Sequence, residues 1–207
     1  MIDAVVFDIG RVLVRLEPQP LLALLARHGV PDQDLESLVM RVALHEHESG
    51  ELPGEELIAR LAALAPAPIP AAAARAAWLD MFELDHAMIG LAYALAARHR
   101  VYLLSNIGDL HWMHLAREFG LHRIGHGALP SFLAGSMKPA APIYAEAERR
   151  FALEPRRTVF IDDRHDNIAA ARERGWHGIV HADYASTRAA LALVGVELDA
   201  APGEQAG

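Results

Sequence analysis

Short apolar runs that end on a polar residue alternate, along most of this chain, with longer stretches in which leucine and alanine return at helical spacing. The first run, AVVF, leads into Asp8-Ile9-Gly10, and a second, VYLLS, closes on Ser105 before Asn106. A third, TVFID, closes on Asp162-Asp163, and HGIVH follows at 177–181. From position 88 onward the helical period predicts helices near 87–98, 109–119, 140–152 and 165–174. Helices alternating with short buried strands are the pattern of crossover units that feed a parallel sheet, so the predicted class is α/β. Asp109 and Asp166 stand where helix N-caps are expected, and Gly120 and Gly175 where helices stop.

One stretch breaks the alternation. From about Glu17 to Asp85 the sequence has little strand character and is rich in leucine and alanine at helical spacing. Inserted directly after the strand bearing Asp8, it is expected to be a helical cap over the carboxyl edge of the sheet, where it can exclude water and select substrate. The predicted organisation is a core of residues 1–15 and 86–198, a cap of residues 16–85, and a disordered tail at 199–207, where periodicity is lost. The proline-rich segment 65–70, APAPIP, reads as a stiff connection inside the cap.

Composition narrows the function. Hydrophobic residues at 53% and charged residues at 22% are the balance of a soluble globular protein. A formal net charge of -8, with no basic run, argues against a nucleic-acid partner, although a local positive pocket could still bind a small anion. With no cysteine, thiolate nucleophiles and every cysteine-dependent phosphatase mechanism are excluded. The most apolar region, 61–79, is broken by Pro66, Pro68, Pro70 and Arg75, so no membrane span is expected. The N-terminus reads as a strand and not as a secretion signal, which makes a cytoplasmic protein the expectation. Monomer and homodimer are equally compatible with the leucine-rich helices.

Taken singly, the polar residues at the strand ends are ordinary. Asp8 alone would be a turn former, Ser105-Asn106 a turn dipeptide and Lys138-Pro139 a surface turn. Together they describe a site: a carboxylate able to attack phosphorus or carbon, a hydroxyl and an amide able to donate to an anion, and a lysine. Lys138 would be worth roughly 4 kcal/mol against a unit anion at about 4 Å and an effective dielectric near 20, before desolvation. The Asp162-Asp163 doublet would be costly without a cation. A hard oxygen-binding ion such as Mg²⁺ resolves it.

The four pieces FDIGRVLV, LLSN, MKP and FIDDRHDN, in this order, resemble the four motifs of the haloacid dehalogenase superfamily over nearly the whole chain. The start FDIGRVLV and the segment HEHESGELPGEELIARL are similar to its helical-cap phosphatases, which include bacterial alpha-glucose-1-phosphate phosphatase. The resemblance implies a Rossmann-like parallel sheet with helices on both faces plus an inserted helical cap. It further implies a Mg²⁺-dependent hydrolase of small phosphate esters, a sugar phosphate among them. Asp8 would be the nucleophile, Ser105, Asn106 and Lys138 would bind the phosphoryl group, and Asp8, the Gly10 carbonyl and Asp163 would hold Mg²⁺. Asp162 would lie close behind, with Asn167 bracing the loop.

One position departs from that pattern. Most phosphatases of the superfamily carry a second aspartate two residues after the nucleophile to move protons, and here that position is Gly10. Acid-base help is typically worth about 10²- to 10⁴-fold. The substitutes offered by the sequence are His45, Glu46, His47 and Glu48 in the cap, of which at most one or two can face inward from a helix. Two further readings stay open: a 2-haloacid dehalogenase, whose attack on carbon needs no metal, and a catalytically weak metabolite-binding or regulatory protein, motivated by Gly10. His111 and His114 lack further ligands at a telling spacing for a transition metal. Trp78, Met81 and Phe82 read as cap packing.

Overall fold

The computed structural model describes residues 1–30 and 35–198. In chain order the strands are β1 (Ala4–Phe7), β2 (Val14–Leu16), β3 (Phe82–Leu84), β4 (Arg100–Ser105), β5 (Gly127–Pro130), β6 (Thr158–Asp162) and β7 (His177–Val180). Five of them form one sheet in the order β5-β4-β1-β6-β7, and each neighbouring pair is parallel. Side chains that alternate along each strand divide the core in two. Val5, Phe7, Val101, Leu103, Val159 and Ile161 face one layer, and Ala4, Val6, Tyr102, Leu104 and Phe160 face the other. Helices His86–Ala96, Asp109–Glu118 and Tyr184–Leu193 bury Leu91, Leu115 and Leu191 on the first face. Helices Ala141–Phe151 and His165–Glu173 bury Tyr144 and Ile168 on the second. Both faces of the sheet are therefore covered, as a sheet of parallel strands requires.

The helices predicted near 87–98, 109–119, 140–152 and 165–174 occur within two residues of those bounds. Their caps differ from expectation. Gly108 and Arg164 occupy the N-cap positions, and Asp109 and Asp166 lie inside the first turn, where a carboxylate still opposes the positive end of the helix dipole. Side-chain caps are made instead by Asp85, which accepts from the Ala87 and Met88 amides, and by Asp183, which forms a capping box with Ser186. Gly120 and Gly175, at φ +68 and +89, follow their helices in the left-handed region that glycine supplies without penalty.

Between β2 and β3, which pair antiparallel with Leu16 opposite Phe82, run helices Gln19–Arg27, Leu35–Arg41, Leu44–Glu48, Gly54–Ala62 and Ala71–Leu79. They have their own apolar centre, in which Leu21, Leu25, Leu38, Leu57, Leu61 and Trp78 are buried. The tail expected to be disordered, 199–207, lies outside the described residues. No helix among the described residues is long and apolar enough to cross a membrane.

The helical segment meets the sheet domain through close backbone contacts. The imidazole of His47 packs against Gly108, where a Cβ would fall 2.1 Å from Nε2. A Cβ at Gly50 would fall 2.5 Å from the Phe132 carbonyl oxygen. Gly10, by contrast, has nothing within 4 Å of its Cβ position. Gly108→Ala is therefore expected to cost about 1–3 kcal/mol by overpacking. Gly10→Ala should change stability by no more than about 1 kcal/mol. Urea denaturation of both variants checks the contrast, and equal midpoints would show that the Gly108 contact is not tight in solution.

Candidate active site

The sheet brings the chemistry together by its order. The chain adds β4 and β5 on one side of β1 and then crosses to add β6 and β7 on the other, so β1 sits at the reversal of direction, where open α/β sheets bind ligands. Phe7 pairs with Leu103 on one side and Ile161 on the other. Asp8 follows β1 directly, and Ser105 and Asp162 are the last residues of β4 and β6; all three are buried. The Asp8 amide donates to Ile161 O at 2.9 Å, which holds the loop after β1 against β6.

Lys138 enters this row from the loop that precedes helix Ala141–Phe151, and its ammonium is almost wholly buried. Its Nζ donates to Leu104 O at 2.9 Å, to Asp162 Oδ2 at 2.6 Å and to Asp8 Oδ1 at 2.9 Å, three partners for three protons. Burial alone would lower the lysine pKa, and the Asp8 and Asp162 charges more than offset it, so the group is pushed upward and stays charged. Asn106 positions it: Nδ2 donates to Lys138 O and the Lys138 amide donates to Oδ1, both at 2.8 Å. Of the two donors expected of Asn106, the carboxamide is turned to the Lys138 backbone, and Asn106 still lines the cleft above the carboxylates.

Asp8, Asp162 and Asp163 present carboxylate oxygens within 4.8 Å of one another, the one group of its kind among the described residues that could hold a metal ion. Their surroundings differ. Asp162 is fully buried and engaged: Oδ1 accepts from the Arg164 amide at 2.8 Å, Oδ2 from Lys138, and Asn167 Nδ2 reaches both oxygens at 3.0 Å. Tyr144 in turn donates its hydroxyl to Asn167 O at 2.8 Å. Asp163 keeps 21% of its side chain exposed and has Arg11 Nη1 at 3.9 Å, too long for a hydrogen bond. Its pKa is raised by burial and by Asp162, with Arg11 and Lys138 opposing. Asp8 is pushed up to about 6, mainly by burial and also by Asp162, against the pull of Lys138 and the Ser105 hydroxyl. Lys138 pairs with Asp8 and Asp162, and Arg11 stands off from Asp163, so the three carboxylates keep an excess of negative charge, and an all-oxygen donor set with that excess fits a hard divalent cation. Gly10 lies between Asp8 and Arg11, and Arg11 adopts φ +58, a costly backbone for a residue with a Cβ.

Above the carboxylates lies a cavity of about 300 Å³. Gly10, Arg11, Asn106, Asp163 and Arg164 line its floor, and Leu16, Leu44, Trp78, Met81 and Phe82 contribute an apolar wall. Trp78 and Met81 thus belong to the packed centre of the helical segment, as expected, and also face the cleft. Of the four cap candidates only Glu48 lines the cavity. His45 and Glu46 are exposed on the outside of their helix. His47 is buried, with Nδ1–H donating to Leu52 O at 2.9 Å and Nε2 3.6 Å from Asp109 Oδ1, so it docks the helix and does not reach the cleft. Those three are corrected as candidates for proton transfer. The helix spacing that limited the choice could not select among them; the docking of His47 on Gly108 does.

Ser131 is a residue that the sequence reading missed, for it follows a proline with no pattern around it. Its buried hydroxyl donates to Glu48 O at 2.6 Å and accepts from the Ile107 amide at 2.9 Å, tying the helix that carries Glu48 to the loop after β4. His111 serves packing: it stacks on Trp78 with ring centres 4.7 Å apart, its Nε2 lies 3.0 Å from Trp78 O, and burial lowers its pKa to about 3, leaving it neutral.

Glu48 is pushed up to about 8 by burial and by the Asp8 charge, partly relieved by Lys138. A carboxyl that is harder to ionise in the folded protein than in the unfolded chain, from 4.5 to about 8, keeps its proton on folding, and its contribution to stability falls as pH rises through that window. In chelator, the wild type is therefore expected to lose stability relative to Glu48→Gln between pH 4.5 and 8, as measured by paired thermal melts. A difference that is flat with pH would mean that Glu48 ionises normally.

A family model described as haloacid dehalogenase-like hydrolase matches residues 2–175. The chain is 26% identical over 204 residues to D-ribitol-5-phosphate phosphatase from Bacteroides thetaiotaomicron, covering 94% of this chain and 98% of that protein. A haloacid dehalogenase family enzyme of the same organism, solved with magnesium and inorganic phosphate, superposes with a TM-score of 0.77 at 22% identity, over 86% of this chain and 93% of that one. A haloacid dehalogenase-like hydrolase from Porphyromonas gingivalis gives a TM-score of 0.71 at 26% identity, over 86% and 90%. With the sheet order, the strand-end carboxylates and a family match over most of its length, the chain belongs to the haloacid dehalogenase-like hydrolases.

Proposed function

We propose that this protein is a Mg²⁺-dependent phosphatase that hydrolyses a small phosphorylated metabolite through an aspartyl-phosphate on Asp8. In this reading residues 16–85 form a cap over a core of residues 1–15 and 86–198. The observation that carries it is the grouping of buried Asp8, Lys138 and Asp162 with part-exposed Asp163 at the reversal point of the sheet. Two likenesses support it: one relative is a D-ribitol-5-phosphate phosphatase, and a solved neighbour holds magnesium and inorganic phosphate. A sugar or polyol phosphate is therefore a reasonable first substrate class.

The chain's own groups divide the work. The Asp8 carboxylate attacks phosphorus, the bond from phosphorus to the leaving oxygen breaks, and an aspartyl-phosphate forms. Water then attacks the same phosphorus and Asp8 is released. Lys138 fixes the direction of the Asp8 carboxylate through Oδ1 and offsets its charge, and Ser105 donates its hydroxyl to a phosphoryl oxygen. Asp8, the Gly10 carbonyl and Asp163 would hold Mg²⁺, which when bound offers positive charge to the phosphoryl oxygens. Asp163 suits direct coordination better than Asp162, whose oxygens are already taken by Lys138, Asn167 and Arg164. The helical segment closes the cleft and removes water that would weaken these charges. Phosphate monoesters need accelerations of up to about 10²¹, so several devices acting together are expected.

A 2-haloacid dehalogenase needs no cation and would carry the cluster of three carboxylates as a repulsion that Lys138 relieves only in part. A metabolite-binding protein of weak activity is favoured by one observation, Gly10, which offers no side chain for proton transfer. Asp8→Asn is expected to lower phosphate release from p-nitrophenyl phosphate and a sugar-phosphate panel by on the order of 10³-fold or more. Chelator should stop the wild type, and added Mg²⁺ should restore it. Tight binding of the esters without turnover would favour the binding protein, and halide release from 2-haloacids in chelator would favour the dehalogenase.

A further inference from the structure

We propose that Glu48 is the general acid and base of this site, acting from across the cleft where the nucleophile loop has only Gly10. The inference rests on the phosphatase reading above and names the group which that reading leaves unassigned.

Five titratable side chains line the cavity among the described residues: Arg11, Glu48, His111, Asp163 and Arg164. Arg11 and Arg164 remain charged and give up no proton at neutral pH. Asp163 belongs to the carboxylate cluster. His111 is neutral, with its Nε2 occupied by Trp78 O. Glu48 is the remaining titratable side chain lining the cavity among the described residues. It is near enough to Asp8 and Lys138 to feel both charges. Its burial favours the protonated form, which is the form an acid needs before the first step.

Its placement is also built. A five-residue helix such as Leu44–Glu48 would not hold a direction alone, but three contacts fix this one. Ser131 donates to the Glu48 carbonyl, His47 packs on Gly108, and Gly50 comes against Phe132. These contacts join the helix and the turn after it to the loop that follows Ser105 and to the short helix Ser131–Ala134, which leads on to Lys138. The acid is thereby placed by the elements that position the phosphoryl group, although it comes from a different part of the chain.

The proton balance closes. As Asp8 attacks, the electron pair of the breaking bond from phosphorus to oxygen goes to the ester oxygen, which takes the proton from the Glu48 carboxylic acid and leaves as the alcohol. Glu48 is now a carboxylate. It accepts a proton from water as the water oxygen bonds to phosphorus, the bond from phosphorus to Asp8 breaks with its pair returning to Asp8, and both side chains regain their starting forms. One ester and one water give one alcohol and one phosphate.

The test compares Glu48→Gln with wild type on two esters, p-nitrophenyl phosphate and an alkyl phosphomonoester such as a sugar 6-phosphate, in Mg²⁺. Loss of an acid should lower kcat/KM for the alkyl ester by about 10²-fold or more and for the p-nitrophenyl ester, whose leaving oxygen needs no proton, by less than about threefold. Loss of the base should leave the phosphoenzyme unhydrolysed, seen as a burst of one equivalent of p-nitrophenol before slow turnover. Because Gly10 has open space at its Cβ, Gly10→Asp in the Glu48→Gln background should recover the alkyl-ester rate. Equal losses on both esters with no burst and no recovery would overturn the assignment and leave Glu48 a packing residue. A wild type inactive on every ester would overturn the phosphatase reading itself, and the acid with it, which is a different result from an active wild type matched by its Glu48→Gln variant.

Discussion

The buried ammonium of Lys138 is the contact on which the rest of the site depends. It spends its three protons on a β4 carbonyl, the Asp162 carboxylate at the end of β6 and the Asp8 carboxylate just past β1. Three neighbouring strands are thereby tied at one point by one side chain. Breaking a buried ion pair from one side typically costs about 3–5 kcal/mol, because the abandoned charge stays buried. Here two carboxylates would be abandoned together. The reciprocal amide pair between Asn106 and the Lys138 backbone, and the bracing of Asp162 by Asn167, follow from the same need: every polar group around a buried charge must be satisfied.

The charge is deliberately unbalanced. One ammonium cannot neutralise Asp8, Asp162 and Asp163, and the direction of each shift reflects that: Asp8 and Asp163 are pushed up by burial and by Asp162, even with Lys138 in place. A site that leaves negative charge unsatisfied near its nucleophile is prepared for a cation. The acids split into two kinds of work, with Asp162 saturated by protein donors and Asp163 left open to the cleft. The helical segment contributes something else, an apolar wall and a single carboxyl, on a short helix latched to the loops after β4 and β5.

Much of this was legible in the sequence because the strands that carry it are buried on both faces and read as unbroken apolar runs. AVVF, VYLLS and TVFID end where β1, β4 and β6 end, and the functional residues stand at those ends: Asp8 just after the first run, Ser105 and Asp162 closing the other two. Less regular elements were not legible. GALP forms the edge strand β5 despite its glycine and proline, because an edge needs pairing on one side only. The helix Tyr184–Leu193 was passed over although Asp183 and Ser186 carry the spacing of a capping box. Within the site, the residue types were readable and their partners were not. No pattern in HEHE distinguishes a buried docking histidine from an inward glutamate, since the choice is made by Gly108 and Ser131, both distant in sequence. The Asn106 carboxamide likewise looked free to meet a ligand, and its partner is the backbone at Lys138, a contact that only the fold brings about.

The measurement that bears most directly on the central claim is the detection of the covalent intermediate. Enzyme mixed with p-nitrophenyl phosphate and Mg²⁺, quenched in acid within the first turnovers and digested, should yield a peptide carrying Asp8 with the added mass of one phosphoryl group, and the same peptide from Asp8→Asn should carry none. Turnover by wild-type enzyme with no phosphoryl group on Asp8 at any time would contradict the account, since the geometry around Lys138 would then serve some reaction other than nucleophilic attack by that carboxylate.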